Sequence, residues 1–281
     1  MLNILAAAAA NAGEPALAAG GEPAVAARAV AEVMRALRRS ESDAVTARLA
    51  ADPAGSIDVI RKAARRGYLD AQVALGQCHL VGWGVARDAN MAFRWFSLAA
   101  HAGSAEAANL VGRCREFGWG TTVDLAQAAA CYRHAARAGF PWAQFNYAEM
   151  AFAGRGVPAD RAEALVWYRR AAASGHAKAM NMLGRYHEEG WEMPADPSAA
   201  ARWYRASAVA GDCRGQVNLA SRLLGEGRIG EAASWLGRAV EGAHRDLLAD
   251  LAATLAESPH AALRELAERA RRMLDAMTEL G

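Results

Sequence analysis

Lysine is almost missing from the chain: Lys62 and Lys178 are the only two among 281 residues, and arginine carries the rest of the positive charge. Lys+Arg 32 against Asp+Glu 30 leaves a formal net charge of +2. That is not the lopsided basic balance by which a chain binds nucleic acid or an anionic membrane surface. Proline is scarce at Pro 8, so few points break a helix. Cysteine is scarce too: Cys78, Cys114, Cys131 and Cys213 form no C-x-x-C pair. This excludes a disulfide-built scaffold and leaves no zinc-site spacing. No apolar run reaches the roughly 18–20 residues of a membrane-spanning helix. The opening segment MLNILAAAAA lacks the basic start of a secretory leader, the first basic side chain being Arg28. The expectation is a cytoplasmic chain, neither secreted nor periplasmic, with no membrane or nucleic-acid partner.

What the chain has in excess is alanine, 73 residues or about a quarter of the total, within a composition that is 53% hydrophobic and 22% charged. Alanine has the highest helix propensity and is depleted from strands, so this balance favours an all-helical protein. The use of alanine and arginine also fits the codons of a GC-rich bacterial genome.

Internal repetition decides the architecture. Gly67, Gly103, Gly139, Gly175 and Gly211 stand 36 residues apart, as do Gly82, Gly118, Gly154 and Gly190, and the acids Asp88, Asp124, Asp160 and Asp196. Aromatic positions keep the same register in Trp95-Phe96, Tyr132, Trp167-Tyr168 and Trp203-Tyr204. Each position has a physical task. A first helix, A, ends at a glycine able to take the left-handed conformation that closes a helix. A short loop follows. The aspartate then caps a second helix, B, with an acid or amide three residues on in Asp160/Glu163 and Asp124/Gln127, the capping-box spacing. The aromatic residues of B fall on one face with its alanines and are expected in the core. The aspartate ladder is therefore assigned to capping and not to metal.

These units resemble the Sel-one-like repeat family, relatives of the tetratricopeptide repeats. The resemblance rests on ALGQCHLVGWGVARDANMAFRWFSLAAHAG, LVGRCREFGWG with DLAQAAACYRHAARAG, GRGVPADRAEALVWYRRAAASG, and MLGRYHEEGW with AARWYRASAVAG. It implies a right-handed α/α superhelix of antiparallel helix pairs whose usual work is holding protein partners. Five units are expected, at 68–103, 104–139, 140–175, 176–211 and a shortened 212–242. Helical caps are expected at 24–67 and 243–281, with residues 1–23 expected to be poorly ordered. In the last segment Leu263, Leu266, Ala267, Ala270, Met273, Leu274 and Met277 make one apolar stripe. It reads as a cover for the terminal repeat, with a dimer contact as the alternative, and a monomer is expected over a homodimer.

Residues with catalytic spacing are not found. There is no G-x-S-x-G, no G-x-x-x-x-G-K-[ST] and no H-E-x-x-H. Some members of the resembled family are linked to penicillin-type compounds, which makes a β-lactam-like binder or hydrolase the alternative function. Against it, Ser174 and Lys178 miss the S-x-x-K spacing by one residue. His79 and His187 occupy equivalent places three repeats apart, too far for one shared metal. The reading is a non-enzyme without metal or cofactor. The four cysteines are expected as free, buried thiols.

A binding surface can be sought on the A helices, which line the concave side of such a stack. Just before the small mid-helix residues Gly112, Ala148, Gly184 and Ala220 stand Asn109, Asn146, Asn181 and Asn218, and one position after two of them stand Arg113 and Arg185. Asparagine is a mediocre helix former, and its carboxamide matches the polar groups of a peptide backbone. Arginine offers a forked donor to carboxylates. With Trp142 and Phe145 as an apolar anchor, these eight residues are the expected partner site. Helical phase places them on the open face, where they would hold an extended peptide.

Overall fold

The computed structural model describes residues 53–279. The expectations for residues 1–23 and for most of the N-terminal cap lie outside the described residues. Among those described there are thirteen helices and no strand. They divide after Asp160 into two compact units.

The first unit contains α1 (Pro53–Arg65), α2 (Leu69–Val81), α3 (Ala89–His101), α4 (Ala105–Phe117), α5 (Leu125–Arg137) and α6 (Pro141–Ala153). The second contains α7 (Arg161–Ala173), α8 (Ala177–Glu189), α9 (Pro197–Val209), α10 (Cys213–Gly225), α11 (Ile229–Gly242), α12 (Arg245–Ala256) and α13 (Ala261–Glu279). From α2 to α10 every helix is 13 residues long. Consecutive helices pack as hairpins, α2 on α3, α4 on α5, α8 on α9 and α10 on α11.

The helix boundaries follow from backbone groups that need partners. Asp88, Asp124 and Asp196 each accept the N–H three residues on, from Met91, Gln127 and Ala199 at 3.0, 2.9 and 2.9 Å. The aspartates expected as caps therefore serve their own backbone there. At the other end of an A helix, Gly118 takes φ 74° and its N–H returns to the Cys114 carbonyl. An L side chain rarely adopts that conformation, which is why glycine recurs there.

Packing explains the other recurrent pair, a small residue in A against an aromatic ring in B. Gly112 lies over the Tyr132 ring, and a Cβ at that position would come to 2.7 Å from it. The same contact joins Gly184 to Tyr204, with a Cβ at 2.5 Å. Phe96, Tyr132, Tyr168 and Tyr204 are all 1% exposed or less. The ring fills the space that the missing side chain leaves, so A and B approach closely at their midpoints.

Most of the C-terminal stripe packs within the chain, while Met277 near its end is 38% exposed. Leu263, Ala267 and Ala270 of α13 are buried, with Leu266, Met273 and Leu274 packed beside them against Leu236, Leu248 and Leu251. All four cysteines are free, as the sequence suggested; Cys78 and Cys114 are fully buried and Cys131 and Cys213 only partly so. Burial pushes the thiols of Cys78 and Cys114 up to about 12, which leaves them protonated and inert.

Two glycine replacements should have opposite signs. Gly112→Ala drives a methyl into a ring with no room to move and should cost about 1–3 kcal/mol in urea denaturation. Gly237→Ala, in α11, meets only Leu266 Cδ2 at 3.7 Å. It should stabilise by up to about 1 kcal/mol through helix propensity.

Candidate functional site

The A helices form the inner row of each unit: α4 touches α6, and α8 touches α10. Their side chains are the ones a partner on that side would meet. The asparagines are not the open row the sequence suggested. Asn109, Asn181 and Asn218 are buried at 5%, 4% and 7% exposure, and Asn146 is partly buried. They bond to one another across neighbouring repeats. Asn146 Nδ2 donates to Asn109 Oδ1 at 2.9 Å, and Asn218 Nδ2 donates to Asn181 Oδ1 at 2.8 Å. A carboxamide buried without a partner would destabilise the stack, and each of these has found one.

The physical reason is a stagger of one residue. Asn109 and Asn181 lie three positions before the small residue of their helix, and Asn146 and Asn218 lie two before. One position is about 100° of helix rotation. The first pair member therefore turns toward the next repeat and the second turns back to meet it.

The same pairing of repeats organises a second cluster that sequence reasoning missed. Tyr132 Oη donates to Glu116 Oε2 at 2.6 Å, and Arg155 forms an ion pair with the same carboxylate. Two repeats on, Tyr204 Oη donates to Glu188 Oε2 at 2.6 Å, and Arg222 pairs with Glu188 at 3.3 Å. Burial and the adjacent carboxylate both push the phenol pKa values upward, so the tyrosines remain donors. In the alternate repeats the equivalent residues are Phe96 with Leu80, and Tyr168 with Phe152. The tyrosine–glutamate–arginine cluster thus occurs once in each unit, two repeats apart. The available signal was recurrence at twice the basic period, 72 residues, linking Asn109, Arg113, Glu116, Trp119, Tyr132 and Asn146 to Asn181, Arg185, Glu188, Trp191, Tyr204 and Asn218.

The two arginines of the expected site sit in this doubled pattern. The Arg113 guanidinium lies 5.2 Å from the Trp119 ring centre, and that of Arg185 lies 5.1 Å from Trp191. Arg161 also stacks on Trp191, at 4.9 Å. Stacking uses the face of a guanidinium and leaves its edge N–H groups directed sideways. Trp191 is followed by Glu192 at φ 58°, the only left-handed non-glycine among the described residues.

The expected anchor residues are on α6. Trp142, Phe145, Asn146 and Glu149 fall at the spacing of one helix face; Trp142 is 52% exposed, and the other three are partly buried. The opposite face, Ala143, Gln144, Tyr147, Ala148 and Ala151, is buried. The structure thus brings Trp142, Phe145 and Asn146 together on one helix and places Arg113 on the neighbouring helix. Arg185 is in the other unit. No group of three or more His, Cys, Asp or Glu side chains among the described residues could hold a metal. No described helix is long and apolar enough to cross a membrane.

Fold and inner row together define a helical-repeat protein. A family model for the Sel1 repeat matches residues 69–104, 105–140, 143–176 and 177–212, and the chain belongs to that family. Among solved structures it is similar to c5321, a protective antigen present in uropathogenic Escherichia coli strains and displaying an SLR fold. The identity is 31% over 80% of this chain, with a TM-score of 0.61, and the chain spans 50% of the length of that structure. A Sel1 repeat protein from Oxalobacter formigenes is 23% identical, with a TM-score of 0.69, covering 80% of this chain and 97% of that one. The immunity protein Pa5087 from Pseudomonas aeruginosa shares 16% identity and a TM-score of 0.54, over 74% of this chain and 81% of its own. No curated protein matches the sequence. The all-α superhelical repeat expected from the sequence is the fold of this family.

The asparagine pairs are testable by a double-mutant cycle. Asn109→Ala and Asn146→Ala should each lower stability, with a coupling energy of about 0.5–1.5 kcal/mol in urea denaturation. Strictly additive losses would mean the two side chains do not share a bond.

Proposed function

We propose that the protein is a non-catalytic interaction scaffold that holds a peptide or partner protein on the concave face formed by its A helices. The observation that carries this reading is the α6 stripe. Trp142 stays more than half exposed although burial would remove its large apolar surface from water, and Phe145 and Asn146 follow it on the same face. Aromatic side chains held open beside polar ones are where interfaces concentrate their binding energy. Arg113 and Arg185, each oriented by a tryptophan, supply donors for acidic side chains or a C-terminal carboxylate.

The asparagines take a different part from that expected of an open row. Asn109, Asn181 and Asn218 act from beneath, fixing the distance between neighbouring A helices, while Asn146 is the member within reach of a partner backbone. The Sel1 repeat family generally serves protein interaction, which supports the scaffold over the alternative of a β-lactam-like binder or hydrolase. Immobilised wild-type protein should retain a partner from lysate of its own source that Trp142→Ala and the Arg113→Glu/Arg185→Glu double variant lose at least tenfold, and retention should weaken with salt. Val209→Ser, on the exposed surface of α9, should leave retention unchanged. A partner lost with Val209→Ser and kept by the other variants would place the working surface on the B helices.

A further inference from the structure

In the second unit, three residues that depart from their repeat neighbours meet at one point. Ser207 of α9 stands where the other B helices have Ala99, Ala135 and Ala171. Asp212, before α10, stands where the other A helices are preceded by Tyr68, Ser104, Phe140 and His176. Gly215 of α10 stands where the others have Ala71, Ala107, Ala143 and Ala179.

Their geometry explains why they depart together. A Cβ at position 215 would collide with the Ser207 hydroxyl, so serine in α9 requires glycine in α10. Ser207 is fully buried, and its Oγ lies 2.8 Å from the Ala177 carbonyl of α8 and 3.1 Å from Asp212 Oδ2. The Gly215 N–H donates to that same Oδ2 at 2.7 Å, capping α10.

Proton counting exposes a conflict. A hydroxyl has one proton, and here it faces two acceptors. With Asp212 ionised, Ser207 can satisfy either the carboxylate or the Ala177 carbonyl, and the other oxygen faces it without a proton between them. With Asp212 protonated, its O–H donates to Ser207 Oγ, Ser207 donates to the Ala177 carbonyl, and every oxygen in the chain is satisfied.

We propose that Asp212, Ser207 and the Ala177 carbonyl form a proton-operated joint that ties α8, α9 and α10 most tightly when the Asp212 carboxyl takes a proton from solvent. The surrounding charges are Lys178 on α8 and Arg214 on α10, and both oppose protonation. His176, at the start of α8, is held neutral by burial with its pKa lowered to about 4, and α9 contributes the Ser207 hydroxyl. Burial outweighs these charges and the hydrogen bonds that the ionised carboxylate accepts from Gly215 and Ser207, and raises the Asp212 pKa above its ordinary value. The joint ties together the helices that carry Arg185 and the Asn181–Asn218 pair.

The sign follows by linkage. A carboxyl whose folded-state pKa is raised gives full stability at low pH and loses it as pH rises through the folded-state value. Ser207→Ala restores the alanine of the other B helices and removes the hydroxyl that receives the Asp212 proton. Asp212→Ser keeps the capping oxygen in the manner of Ser104, which accepts the Ala107 N–H at 3.1 Å. Urea midpoints of Asp212→Ser and the wild type should be compared between about pH 4 and pH 8, together with the 13C resonance of the Asp212 carboxyl in the wild type and in Ser207→Ala. The joint predicts a carboxyl midpoint above the ordinary aspartate value of about 3.9. It also predicts that Ser207→Ala lowers that carboxyl midpoint, and that the wild type gains urea stability relative to Asp212→Ser as pH falls. A wild-type carboxyl titrating at or below the ordinary value would overturn the proposal whether or not the variants fold. So would a carboxyl midpoint that rises in Ser207→Ala, or a wild-type advantage over Asp212→Ser that shrinks on acidification.

Discussion

A buried asparagine has to find a partner, and in each unit of this protein an asparagine of one A helix finds another one repeat away. The Asn109–Asn146 and Asn181–Asn218 bonds join helices that are separated in sequence by a whole B helix. They act where apolar packing alone would be permissive: alanine- and leucine-rich surfaces can slide by a residue with little loss, whereas a paired amide has one position in which it is satisfied. The spacing of the inner helices, and with it the placement of Arg113 on one side of the junction and the α6 face on the other, depends on that registration. The Tyr132–Glu116–Arg155 and Tyr204–Glu188–Arg222 clusters bind the same junctions a second time, from the loop end of the A helices.

This doubling makes the repeat less uniform than its 36-residue period implies. The tyrosine–glutamate pair is set by single substitutions, Tyr132 against Phe96 and Glu116 against Leu80. Nearest-neighbour contacts dominate the stability of stacked repeats, so each such substitution changes one interface and leaves the hairpins intact. The departures at Ser207, Asp212 and Gly215 follow the same logic, since each is tolerable only because the other two are present.

Much of this was legible in the sequence, and the boundary is instructive. The helix hairpins, the aspartate caps at Asp88, Asp124 and Asp196, and the burial of the tyrosines follow from interactions within one repeat, which local spacing encodes. The inner row was legible only in part. Helical phase grouped the four asparagines on an open face because it treats a helix alone. It does not contain the lateral distance to the next A helix, which makes a one-residue stagger into a bond. Trp142 and Phe145 share one face of α6, with Trp142 exposed and Phe145 partly buried. The tyrosine–glutamate pairs escaped notice because Glu116 and Glu188 look, in sequence, like ordinary charges at the end of a helix.

Side-chain amide hydrogen exchange is the most direct measurement of whether the asparagines are internal bonds or open contacts. In the free protein at neutral pH, the Nδ2 protons of Asn146 and Asn218 should exchange markedly more slowly than exposed carboxamides, because both donate into the inner row. Exchange at the rate of a solvated asparagine at both positions would contradict the account and return the row to the solvent face.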